Sequence, residues 1–165
     1  MHYAFTFMDS PVGILTLVAR GPKLAAILWE DERPNRVPLG ERQEQADHPM
    51  LVRTAAQLSE YFAGTRERFD LDLDFVGTAF QVQVWQALLT IPFGETRSYL
   101  DIATQLGNPQ AVRAVGAANG RNPISIVAPC HRVIGSSGKL TGFAGGLGAK
   151  QFLLSHERRD LLSVC

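Results

Sequence analysis

The hydrophobic pattern of this chain changes period once, at Gly77-Thr78, and that switch restricts the fold more than any other feature. Before it, residues 2–8, 14–19 and 23–29 are short apolar or alternating runs separated by Asp9-Ser10-Pro11-Val12-Gly13 and Gly21-Pro22. Alternation puts successive side chains on opposite faces and the glycine-proline punctuation marks tight reversals, so this stretch reads as a three-stranded antiparallel meander. Residues 30–49 are charged and carry Pro34, Pro38, Gly40 and Pro49, the pattern of an exposed loop. Leu51, Ala55, Leu58 and Phe62 then recur at helical spacing up to a stop at Gly64. Asp70-Leu71-Asp72-Leu73-Asp74-Phe75 alternates acid and apolar residues and is expected to be an edge strand with a solvated acidic face.

After Thr78 the period is helical. Phe80, Val84, Ala87, Leu88 and Ile91 form one apolar stripe with Trp85 at its flank, ended by Pro92-Phe93-Gly94. Ser98 caps a short helix bearing Tyr99, Ile102, Ala103 and Leu106, which Gly107-Asn108-Pro109 breaks. Residues 110–119 form another, with Val112, Val115 and Ala118 inward. Two short helices joined by a tight turn outline a helix-turn-helix, whose second helix commonly meets DNA. The fold class expected is therefore α+β, with a small antiparallel sheet and helix over residues 1–77 and a mostly helical helix-turn-helix domain over residues 78–165.

That second helix is made of small residues, Ala111, Ala114, Gly116, Ala117 and Ala118, and an interior glycine costs a helix about 1 kcal/mol relative to alanine. Stability is given up for close approach, either by another helix or by a nucleic-acid backbone. Arg113 is its one cation before Gly120-Arg121, and an arginine there is suited to entering a groove or a gap in the base stack.

The chemistry centres on Asn122-Pro123-Ile124-Ser125-Ile126-Val127-Ala128-Pro129-Cys130-His131-Arg132-Val133-Ile134. A thiolate is the reactive form of cysteine, and an adjacent imidazole and guanidinium are the groups that create it. Pro129 biases Ala128 toward an extended conformation and turns the chain at the sulfur. Local chemistry leaves two readings of Cys130: an activated nucleophile, or a small buried hydrophobe. On an extended segment His131 would point away from Cys130, so direct proton transfer needs a backbone turn or a bridging water.

Downstream, residues 135–138 read as a turn and residues 141–148 as a glycine-rich loop without the spacing of a phosphate-binding loop, which excludes nucleoside triphosphate binding. The last helix is expected from about Ala149 to Arg158, with Phe152, Leu153 and His156 on one face. Glu157 falls in its final turn, where a carboxylate opposes the helix dipole, and so calls for a partner such as a histidine.

Composition narrows the partners. Residues 1–77 hold 8 Lys or Arg against 12 Asp or Glu, and residues 78–165 hold 8 against 4, so a chain of zero net charge has a basic second half suited to phosphate. Two cysteines, Cys130 and Cys165, and scattered histidines offer neither a disulfide framework nor metal-ligand spacing, so no metal and no cofactor are expected. No charged leader precedes an apolar block and no run reaches membrane-spanning length, which points to a soluble cytoplasmic protein with no membrane partner.

Pro129-Cys130-His131-Arg132-Val133 resembles the motif of the O6-alkylguanine-DNA alkyltransferases, or methylated-DNA–protein-cysteine methyltransferases. The resemblance extends to residues 80–85, 91–99, 113–116, 119–123 and 145–147, covers residues 78–157 closely, and covers the first 77 only in outline. It implies an RNase H-like first domain and a winged helix-turn-helix second domain. It implies that Cys130 irreversibly accepts the alkyl group from O6 of guanine in duplex DNA, one event per molecule, with the protein acting as a monomer or cooperatively along DNA. By the same resemblance His131 is a base acting through a water, Glu157 orients it and Asn122 braces the turn. Tyr99 and Arg113 manage base extrusion, with Ala114, Gly116, Asn119 and Arg132 at the DNA. Val133, Phe143, Ala144, Gly145 and Gly146 enclose the alkylated base. Phe143 and Ala144 stand where many relatives have tyrosine and serine, which removes hydroxyls but keeps the backbone amide of residue 144. The zinc-binding cysteines of some relatives are missing, so no zinc is expected. The competing readings are a cysteine hydrolase, which the adjacency of Cys130 and His131 disfavours, and a helix-turn-helix regulator triggered by alkylation of Cys130.

Overall fold

The computed structural model describes residues 2–136 and 143–158, and the chain divides into two compact units. The first comprises the residues up to Val76 together with Pro123–Ser125; the second comprises Gly77–Asn122 and the chain from Ile126 onward. The architecture is α+β, as the change of period requires.

In the first unit, β1 (Tyr3–Met8), β2 (Leu15–Arg20) and β3 (Lys23–Leu28) form the expected antiparallel meander. The loop predicted over 30–49 is more structured than its composition suggests, because β4 (Arg42–Glu44) adds to the sheet parallel to β1 and gives the order β3-β2-β1-β4. Within the same stretch Arg36 is buried and paired with Glu32, whose other oxygen accepts the Trp29 backbone N–H at 2.9 Å. A buried ion pair of this kind can form inside a segment rich in charge, which composition alone reads as exposed.

Helix α1 (Pro49–Ala63) begins at His48, whose Nδ1 accepts the Met50 N–H, and ends at Gly64, which takes φ 84° where a side chain would be strained. Its buried face is Leu51, Thr54, Leu58 and Tyr61, one position off the predicted Ala55 and Phe62, which are half-buried. Thr54 can face inward because its hydroxyl donates to the Met50 carbonyl at 2.7 Å. The predicted edge strand at residues 70–75 reduces to one bridge: Leu73 pairs with Leu24 in parallel, with Leu24 N–H donating to Asp72 O and Asp74 N–H to Leu24 O. Its acids are partly neutralised, Asp70 by Arg53 and Asp74 by Arg20, each at 2.8 Å.

The second unit starts at Thr78, where a capping box with Gln81 opens α2 (Ala79–Leu88). Trp85, expected at the flank of the stripe, is 2% exposed and donates its indole N–H to the Ala118 carbonyl at 2.8 Å. The requirement for glycine at position 77 follows from that ring, since a Cβ there would lie 2.6 Å from Trp85 Cη2. β5 (Arg97–Ser98) leads into α3 (Tyr99–Gln105), capped by Ser98 and Asp101. α4 (Val112–Gly120) starts two residues later than predicted, because Ala111 N–H closes a turn onto Asn108 O. β5 pairs in parallel with β6 (Val133–Ile134). α5 (Leu147–Glu157) buries Lys150, Leu153, Leu154 and Glu157; the predicted inward face was Phe152, Leu153 and His156. Phe152 is exposed and stacks on His156 with ring centroids 6.0 Å apart. No helix among the described residues is long and apolar enough to cross a membrane. The predictions at residues 137–138, Thr141, Gly142 and Cys165 lie outside the described residues.

Candidate active site

The site is built on the segment between α4 and β6. Ile126 has φ 74°, a conformation a β-branched residue adopts only when its surroundings impose it, and it is fully buried. Asn122, also fully buried, donates its Nδ2 to Ala128 O at 2.8 Å. The same carbonyl accepts the Cys130 N–H at 2.8 Å across Pro129, whose φ of −82° and ψ of 67° are those of an inverse γ-turn. One side chain and one proline thus fix the approach to the cysteine. Residues Cys130–Arg132 then form a single 3₁₀ turn closed by Val133 N–H on Cys130 O. The extended geometry assumed for the Cys130-His131 step is therefore replaced by a helical one, because Pro129 initiates a turn and does not continue a strand.

Cys130 is 3% exposed and a free thiol. Beside it, His131 is fully buried, and its Nε2 lies 2.7 Å from Glu157 Oε2. Arg132 grips the same carboxylate with Nε on Oε1 at 2.7 Å and Nη2 on Oε2 at 3.0 Å. Its Nη1 donates to the Ile91 carbonyl at 2.6 Å, and the guanidinium lies 5.8 Å from the Phe93 ring centre. Burial alone would raise the Glu157 carboxyl, but the hydrogen bond and charge of His131 and the Arg132 fork override it and hold Glu157 well below the usual carboxylate range. His131 moves the other way from a surface histidine near an acid. Burial lowers it below its ordinary 6.5, Glu157 opposes that shift, and the Arg132 and Lys150 charges reinforce it. A neutral imidazole facing an ionised carboxylate carries its proton on Nε2. Nδ1 is then a free lone pair, and it is buried with no hydrogen-bond partner among the described residues. The turn thus holds a thiol next to a neutral imidazole with its basic nitrogen uncommitted.

Two residues assigned to the DNA surface from the sequence are in this interior. Arg132 is 6% exposed and committed to Glu157, so it does not reach a phosphate. Asn119 is 5% exposed, with Nδ2 3.5 Å from Cys130 O and Oδ1 buried without a partner. Both were drawn outward by their polarity, which a buried carboxylate and a turn carbonyl reverse. The other members of that group lie on the surface of α3 and α4. Arg113 and Ala114 are exposed, Tyr99 and Gly116 are half-buried, and a Cβ at Gly116 would sit 3.9 Å from the Tyr99 ring. Val133 is buried, Phe143, Ala144 and Gly145 are half-buried, and Gly146 is exposed. Lys150 was missed altogether; its place in register with Leu153, Leu154 and Glu157 was the available signal. Among the described residues no three His, Cys, Asp or Glu side chains are grouped to hold a metal ion.

Comparison with known proteins agrees with this arrangement in both halves. Residues 79–159 match the family described as 6-O-methylguanine DNA methyltransferase, DNA binding domain, and residues 1–75 match its ribonuclease-like domain. A methylated-DNA–protein-cysteine methyltransferase from Methanosarcina barkeri is 60% identical over 159 residues, covering 95% of this chain and 98% of the relative. One of the same name from Mycolicibacterium paratuberculosis is 53% identical over 154 residues, covering 92% of this chain and 90% of the relative. The crystal structure of Mycobacterium tuberculosis OGT in complex with DNA is similar with a TM-score of 0.83 and 47% identity, covering 96% of this chain and 94% of that one. Matched along both units at this level of identity, the chain belongs to the 6-O-methylguanine DNA methyltransferase family.

Proposed function

We propose that this protein repairs DNA by moving the alkyl group of O6-alkylguanine onto the sulfur of Cys130, once per molecule. The observation that carries the reading is the buried turn that sets Cys130 beside a neutral His131 whose Nε2 is held by Glu157 and whose Nδ1 is uncommitted. Cys130 Sγ passes its proton through a water to Nδ1, and the sulfur attacks the alkyl carbon. The carbon–O6 bond breaks, its electron pair goes to the guanine, and the guanine takes back the proton. The thioether left on Cys130 has no leaving route, so the protein is consumed.

O6 inside a duplex does not reach a buried sulfur, and the base must therefore leave the stack. α4 suits the DNA side of that task, because Arg113 and Ala114 are exposed on a helix of small residues that lets a backbone approach closely. In this reading Tyr99 crowds the phosphate of the extruded nucleotide, and Val133 with residues 143–146 encloses the base. Residues 78–165 then carry recognition and chemistry, and residues 1–77 serve as scaffold. A free thiol at the centre suits a reducing cytoplasm.

The decisive measurement mixes duplex DNA containing O6-methylguanine with protein at known ratios. Repair is expected to stop at one equivalent, with the methyl group on Cys130 by peptide mass spectrometry. Continued turnover would make the protein a hydrolase, and unchanged DNA would make it a regulator.

Arg113→Ala separates extrusion from chemistry. A planar guanidinium filling the vacated stack offsets an unstacking cost of a few kcal/mol, so its loss is expected to slow repair in duplex DNA at least about tenfold. Reaction with free O6-alkylguanine base, which needs no extrusion, should change little. Equal slowing of both reactions would assign Arg113 to the fold or the thiol.

A further inference from the structure

One buried charge in the second unit is used neither by the proton path nor by the DNA surface. Lys150 on α5 has 0% exposure, although lysine is rarely buried without a carboxylate. The carboxylate of its own helix, Glu157, bonds His131 and Arg132 instead. The one hydrogen bond of the Lys150 side chain among the described residues goes from Nζ to Val133 O at 2.7 Å, at the exit of the Cys130 turn. Its ammonium also lies 5.8 Å from the centre of the Phe143 ring. A backbone carbonyl and an aromatic face stabilise a cation only partly. Burial lowers the Lys150 ammonium below its ordinary value, and the charge that works against this shift is that of Cys130.

The charged and titratable groups of this cluster are Cys130, His131 and Arg132 on the turn, and Lys150 and Glu157 on α5. Glu157 and Arg132 neutralise each other and His131 is uncharged. The ammonium of Lys150 is what remains.

We propose that Lys150 is a positioning residue of the alkyl transfer: its buried ammonium, anchored on the Val133 carbonyl, is the standing countercharge for the Cys130 sulfur. This rests on the reading of Cys130 as the alkyl acceptor. It divides the work on the thiol between two groups. His131 removes the proton, and Lys150 stabilises the anion that remains. A fixed cation at Lys150 also lowers His131, which keeps the imidazole neutral and Nδ1 able to accept. On alkylation the sulfur loses its charge, and the ammonium is left in an apolar site with only a carbonyl and a ring.

The test uses iodoacetamide as the electrophile, so that it does not depend on DNA. The rate of Cys130 modification is followed against pH by peptide mass spectrometry in the full-length protein, in Lys150→Met and in Lys150→Arg. Lys150→Met is expected to move the midpoint up by about one pH unit, about tenfold in rate near neutrality, with Lys150→Arg restoring part of it. A midpoint that stays in place while the rate falls would show that Lys150 only braces the Val133 carbonyl, and would overturn the proposal. Should Lys150→Met not fold, the wild type decides by linkage: the NMR titration of the Lys150 side chain should move to lower pH once Cys130 is S-methylated, and an unmoved titration overturns the proposal. A normal iodoacetamide profile in a protein that leaves methylated DNA untouched would instead refute the repair reading alone.

Discussion

Cys130→Ser is expected to bind duplex DNA like the wild type and to transfer no alkyl group, a loss of at least about three orders of magnitude in rate, as removal of an enzymatic nucleophile commonly produces. Serine is nearly isosteric at a site only 3% exposed, so the turn and its hydrogen bonds to Ala128 O and Cys130 O remain available. What changes is acidity. A hydroxyl is far harder to ionise than a thiol, and the base beside it is an imidazole that burial holds below its ordinary 6.5. Such a base can take a proton from sulfur near neutrality and cannot take one from an aliphatic alcohol. The check is single-turnover transfer from O6-methylguanine DNA, with binding measured in parallel. Persisting transfer, or a methyl group found on Cys165 in the wild type, would remove Cys130 from the mechanism.

Glu157→Gln is expected to be the most damaging change that spares the sulfur, costing about 3 kcal/mol of stability and slowing transfer about a hundredfold. The stability loss follows from Arg132: its guanidinium is buried on Glu157, and removing one partner of a buried pair leaves an uncompensated charge. The rate loss follows from His131, because an amide no longer specifies the proton on Nε2 and Nδ1 ceases to be a dependable acceptor. A pH signature goes with it. Since the folded carboxyl lies far below its ordinary 4.5, the stability it contributes is fully present above that value and is lost as the pH falls through the acid range beneath it. His131 adds a second loss, beginning as the pH falls through about 6.5, where the unfolded chain takes up a proton that the buried imidazole refuses. In the glutamine variant the loss below 4.5 should flatten. Urea unfolding from pH 7 to pH 3 measures both, and an acid limb identical to the wild type with unaltered transfer would reduce Glu157 to a surface residue.

Sequence by itself determined the elements whose causes are local. The meander β1-β2-β3 follows from alternation and glycine-proline turns, and the starts of α2 and α3 follow from capping boxes that span four residues, Thr78 to Gln81 and Ser98 to Asp101. The motif around Cys130 is likewise contiguous, and its resemblance to the alkyltransferases needed no coordinates. Tertiary structure alone decided which polar groups turn inward. Arg132 and Glu157 are 25 positions apart, and each would be solvated without the other. Lys150 reads as surface on composition until Val133 O and the Cys130 turn are placed beside it. β4 needed β1 as a template, and residues 70–75 kept a single bridge because Leu24 offers them one place to pair. The left-handed Ile126 has no signature in the chain, since residue preference alone argues against it. Local preference is read over a few residues. The cost of burying a charge or straining a backbone is met by partners remote in sequence, and only the assembled fold brings them together.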